Sequence, residues 1–109
     1  MGWQSRPAGA EYLRQLEAVR AELASVAPEV GVWGYGAGPA HALTHFVSAR
    51  NNDREAKVHG EDAGICVEFW ESGAYYEERS LYYPTYEQAV AAASGWLRSG
   101  VILPPPRRP

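Results

Sequence analysis

The soft metal ligands of this chain are three histidines, His41, His45 and His59, and a single cysteine, Cys66. A zinc site needs three or four such groups converging, commonly paired at short range as Cys-x-x-Cys or His-x-x-x-His. His41 and His45 have the second spacing, yet they fall in a stretch that alternates like a strand, where residues four apart share a face but stand well apart. The reading is that the chain holds no metal and no cofactor. Cys66 beside a histidine would make a nucleophile and its base, but it lies in the apolar run Ile65-Cys66-Val67, where free cysteine behaves as a small buried hydrophobe. Glu68, Glu71, Glu77 and Glu78 could face one another across a hairpin as general acid and base. They come with no nucleophile motif and no phosphate loop. Gly34, Gly36 and Gly38 run into Pro39, not into the helix that a dinucleotide fingerprint requires. A binding protein is expected ahead of an enzyme.

The same residues read differently as a surface. The chain has seven tyrosines and four tryptophans in 109 residues, and most of the tyrosines fall between positions 75 and 86. From His59 to Ser80 the acids Glu61, Asp62, Glu68, Glu71, Glu77 and Glu78 are set against Arg79 alone. Trp70, Tyr75, Tyr76, Tyr82 and Tyr83 are interleaved with them or follow directly. Aromatic side chains anchor protein interfaces, and a negative rim speeds encounter with a basic partner. The partner-facing residues expected from this pattern are Glu68, Trp70, Glu71, Tyr75, Tyr76, Glu77 and Glu78. Their charge points to a basic protein, such as a toxin or an enzyme acting on nucleic acid, and not to nucleic acid itself, which requires a basic stripe. The net charge of −3 polarises the chain as a whole very little. One cysteine forms no internal disulfide, and neither an apolar leader nor a run of about 20 apolar residues is seen, so a cytoplasmic protein outside the membrane is expected.

The elements that must position these groups follow from spacing. Tyr12, Leu13, Leu16, Val19, Leu23 and Val26 recur at steps of three and four, predicting an amphipathic helix from Ala10 to Val26 that Pro28 stops. Val30 to Gly36 and His41 to Ser48 read as strands. Arg50 to Arg54 reads as a turn, Ala56 to His59 as a short strand, and Gly60-Glu61-Asp62 as a second turn. Ile65 to Trp70 alternates cleanly, and Tyr75 to Tyr83 returns beside it after Ser72-Gly73. Thr85 and Gln88 form a capping box ahead of the stripe Tyr86, Ala89, Val90, Ala93, Trp96 and Leu97, and Gly100 ends that helix. The expected fold is a single α+β domain over residues 1–103. A mostly antiparallel sheet of three to five strands carries an N-terminal and a C-terminal helix on one face, and 104–109 form a Pro/Arg-rich tail. A pocket between sheet and helices, with Tyr35, His41 and His45 as its polar groups, is the alternative functional reading.

Val67-Glu-Phe-Trp-Glu-Ser-Gly, the tyrosine-rich strand after it, and Pro84-Thr-Tyr-Glu-Gln-Ala-Val-Ala-Ala-Ala-Ser-Gly-Trp-Leu-Arg-Ser-Gly resemble the bacterial immunity proteins of polymorphic toxin systems, of the type associated with deaminase toxins. The resemblance covers about a third of the chain. It departs from that pattern in Pro106-Arg-Arg-Pro, where the family adds a tryptophan-bearing strand. The resemblance implies a sheet flanked by helices and a tight inhibitor whose strand and loop residues plug the toxin's active site.

Overall fold

The computed structural model describes residues 10–34, 45–61, 64–72 and 74–105, with the backbone alone described for 74–79. The architecture is α+β. Helix α1 spans Ala10–Leu23 and buries Leu16, Val19 and Leu23, three members of the expected stripe. It ends at Leu23, three residues short of Val26, and a turn over 24–26 leads to Pro28. Ala24 and Val26 close the end with turn bonds to Arg20 O and Leu23 O, each 3.0 Å.

Strands β1 (Glu29–Gly34), β2 (His45–Asn51), β3 (Arg54–Glu61), β4 (Gly64–Glu71) and β5 (Ala74–Tyr83) form one antiparallel sheet in the order β1-β2-β3-β4-β5. Two boundaries differ from expectation. Arg50, Asn51 and Arg54 belong to strands, and the turn between them narrows to Asn52-Asp53, with Asn52 in the left-handed region (φ 57°). Gly60 and Glu61 extend β3 and do not turn the chain. The neighbouring hairpin tip is locked to the first by a 2.7 Å bond from Ser72 N to Asp53 O. Near the other end, Tyr12 is inserted between β2 and β3. Its hydroxyl donates to His45 O (2.8 Å) and accepts from Gly60 N (3.0 Å), where the register continued from Val47↔Val58 would bring those two residues together. Gly60 is crowded by side chains: a Cβ there would lie 2.8 Å from Tyr86 Oη and 3.1 Å from Tyr12 Cε1, so a larger residue would have to displace them.

Helix α2 (Tyr86–Ser99) starts as its sequence dictates, with Thr85 Oγ1 accepting from Gln88 N at 3.1 Å. The Gln88 side chain accepts from the Thr85 hydroxyl. The far end is capped by Gly100 and by the sheet together. Asn51 Nδ2 donates to Leu97 O (3.0 Å), Gly100 N to Trp96 O (2.8 Å), and the Arg54 guanidinium lies against the last turn, 5.9 Å from the Trp96 ring. The last carbonyls are thus satisfied and the negative end of the helix dipole meets a cation. Both helices lie on one face of the sheet, where Leu16, Leu23, Val47, Val58, Val67, Phe69, Ala93, Trp96 and Leu97 share a single core. Trp96 meets Phe69 edge-on (5.8 Å, 77°) and donates its indole N–H to Glu55 O and Trp70 O, pinning α2 to β3 and β4. No helix among the described residues is long and apolar enough to cross a membrane.

Candidate functional site

Strand alternation sends every second side chain away from the helices, and no described element covers that second face. One transverse row, Gly31, Ser48, Lys57, Glu68 and Ser80, crosses all five strands; beside it runs Glu29, Arg50, Glu55 and Trp70. Trp33 on β1 is 59% exposed and Tyr82 on β5 is 41% exposed. Between them Lys57 Nζ lies 4.1 Å from the centre of the Trp70 ring and 5.5 Å from that of Phe46, a cation sandwiched by aromatic faces. Trp70 donates its indole N–H to Glu68 Oε1 at 3.1 Å, and Ser48 donates to Glu55 Oε2. The Trp33 indole packs over Gly31, and beside it a depression of about 450 Å³ is edged by Trp33, Ser48, Arg50 and Glu55. Glu29, Glu55, Glu61 and Glu68 stand against Arg50 and Lys57, so among the described residues four carboxylates face two cations on this surface.

Of the residues expected to face a partner, Glu68 and Trp70 lie on this open face, both half-buried. Glu71 is exposed at the hairpin end and alternates to the other side, opposite Ala74. The side chains of Tyr75, Tyr76, Glu77 and Glu78 lie outside the described residues. Their backbone is informative. Pairing passes from Glu68↔Ser80 directly to Trp70↔Tyr75, so residues 76–79 stand opposite Phe69 alone, and β5 carries three residues more than its partner at that point. Sequence reasoning missed Trp33, Arg50 and Lys57, which reach the patch from β1, β2 and β3. Only the register reveals them.

At one end of this face a second cluster forms. His59 and Glu61 are two apart on β3, Cys66 is the β4 partner of His59, and Tyr82 is the β5 partner of Cys66. His59 Nε2 lies 2.5 Å from Glu61 Oε2, Tyr82 donates to Glu61 Oε1 (2.9 Å), and Cys66 Sγ is 3.4 Å from Ser80 Oγ. Burial opposes ionisation of Glu61, but hydrogen bonds from His59 and Tyr82 outweigh it and hold the carboxyl below its ordinary value. Burial pushes the Cys66 thiol up, and the charges of Glu61 and Glu68 push it further against a bond to Ser80. A thiol kept protonated in this way lacks the thiolate that nucleophilic chemistry needs at neutral pH.

The layer between sheet and helices, where the alternative reading put a pocket, is filled among the described residues by the apolar core, with no buried polar residue. Tyr35 and His41 lie outside the described residues. His45 sits on the helix side at the margin of the sheet, its ring 3.0 Å from where a Cβ on Gly34 would be. A shallow groove between the outward sides of α1 and α2 is lined by Ala18, Val19, Tyr86 and Val90, with Glu22 and Glu87 as its ionisable groups. The chain matches no protein-family model, no curated protein and no solved structure.

Proposed function

We propose that this protein is a protein-binding inhibitor, an immunity protein that neutralises a cognate toxin enzyme by occluding its active site, and that it docks through the open face of the sheet. The observation that carries this reading is the aromatic surface, covered by no described element, from Trp33 across Lys57 and Trp70 to Tyr82, with a depression beside Trp33 able to receive a partner's side chain. Tryptophan, tyrosine and arginine supply most of the binding energy of protein interfaces, and this face presents all three. Its surplus of carboxylates favours a basic partner and fast association. The resemblance of residues 67–73 and 84–100 to immunity proteins supports the inhibitor role, and the three extra residues of β5 next to Trp70 give the irregular strand segment that a plug would use.

The test is capture of a partner from the native host's lysate on the tagged full chain, retained through a high-salt wash, followed by binding kinetics with variants. Trp33→Ala removes an exposed anchor without touching the core. It should weaken binding by about 2 kcal/mol or more, roughly 30-fold in Kd, mostly through faster dissociation. Reversing the charge of Glu77 and Glu78 should slow association. Equal affinity of Trp33→Ala, Trp70→Ala and wild type for the captured partner would move the interface off this face.

A further inference from the structure

We infer that His59, Glu61 and Cys66 form a three-ligand site for a borderline-soft divalent metal of the zinc class at the β5-side end of the open face. One donor atom from each of the three residues lies within 4.8 Å of the others. Tetrahedral zinc holds thiolate sulfur at about 2.3 Å and nitrogen or oxygen at about 2.0–2.2 Å, so its ligand atoms stand roughly 3.3–3.8 Å apart. From separations of 4.8 Å or less, that spacing asks for changes of up to about 1.5 Å between donor atoms. The His59 to Glu61 contact opens to admit the ion and the Cys66 contact closes.

The placement is specific to the fold. His59 and Glu61 share a face because they are two apart on β3, and the β3–β4 register sets Cys66 directly across from His59. The donor set of one imidazole, one carboxylate and one thiolate suits zinc and the metals near it, not magnesium or calcium, which take oxygen. Outer partners are in place: Tyr82 holds the second Glu61 oxygen, and Ser80 lies on Cys66. Such groups orient ligands in metal sites. On binding, Cys66 releases its proton to solvent and the thiolate becomes the ligand. The cation then answers the negative charge of Glu61 and Glu68 that otherwise disfavours that thiolate. Among the described residues three ligands converge, and the fourth tetrahedral position is filled by solvent or another donor. The site stands on its own geometry and does not depend on the inhibitor reading.

The experiment is titration of the reduced, metal-free full chain with Co2+ alone, read by absorption, and then displacement by Zn2+. Cys66 is the sole cysteine, so a sulfur-to-cobalt charge-transfer band in the near ultraviolet reports that residue and no other. The expected result is one metal per chain with that band, which zinc abolishes. Cys66→Ala loses the band. Because Cys66 is buried, its substitution is paired with His59→Gln and Glu61→Gln, whose folding is checked by circular dichroism. Each should weaken binding by at least about 100-fold, while Tyr82→Phe, which removes an outer partner, should cost about tenfold. The inference is overturned if wild type binds cobalt without the band, if the stoichiometry is one metal to two chains, or if folded His59→Gln and Glu61→Gln bind like wild type.

Discussion

Replacing Tyr12 with phenylalanine deletes one oxygen and keeps the ring in place. That oxygen donates to His45 O at 2.8 Å and accepts from Gly60 N at 3.0 Å, bridging β2 and β3 where their own pairing stops. Each such bond contributes a net 0.5–1.5 kcal/mol or so, and leaving half-buried main-chain groups short of a partner lies at the upper end. The expected loss is therefore roughly 1–3 kcal/mol. Urea unfolding followed by tryptophan fluorescence should show a lower midpoint with the slope m unchanged, since no surface is newly exposed. The Gly60 amide should also exchange its hydrogen faster while the fold persists. The competing outcome is that β2 and β3 close up and the Gly60 N–H reaches the His45 carbonyl directly. A loss below about 0.5 kcal/mol with Gly60 still protected would show that closure, and would refute a structural role for the hydroxyl.

Two further outcomes are expected of the fold. Burial pushes Tyr83 and Tyr86 from 10.0 to about 12. Between those values the unfolded chain has lost phenolic protons that the folded chain keeps, so stability is fully present below pH 10 and falls as pH rises from 10 to 12. The slope is at most about 1.4 kcal/mol per pH unit for each tyrosine, and Tyr83→Phe should lower it in urea titrations run across that range; an unchanged slope would exclude Tyr83 as its source. Gly64 takes φ 136° with a Cβ position 3.0 Å from the Tyr83 carbonyl. Gly64→Ala should thus cost roughly 1–3 kcal/mol, visible as a drop in Tm of several degrees, and an unmoved Tm would refute the strain.

What was legible in the sequence was local chemistry. Thr85, Gln88 and Gly100 fix both ends of α2 through bonds inside one or two turns, and Ile65, Val67 and Phe69 fix the inner face of β4 by alternation alone. What was illegible depended on partners distant in the chain. Gly60 reads as a turn residue because glycine breaks strands, yet it lies within β3, where Tyr12 and Tyr86 crowd it. The His59, Glu61, Cys66 and Tyr82 cluster has no short ligand motif. It exists because three strands share one register, and a search along the chain for paired ligands settles on His41 and His45 instead. Lys57, which arrives from the adjoining strand and sits across from Glu68, escapes a reading along the hairpin for the same reason.

The order in which the strands lie in the sheet repeats the order in which a ribosome makes them. Each pairing joins elements adjacent in the chain, so each closes a short loop at small entropic cost. The two helices are the exception: α1 is made before any strand and α2 after all of them, and they share one core. A nascent chain can therefore zip its hairpins as they emerge, but the apolar faces of α1 and of the sheet stay partly uncovered until α2 docks. Final compaction is thus a late, cooperative event that waits for Trp96 and Leu97, and a chain cut short before α2 would expose to chaperones and proteases the surface that those residues close.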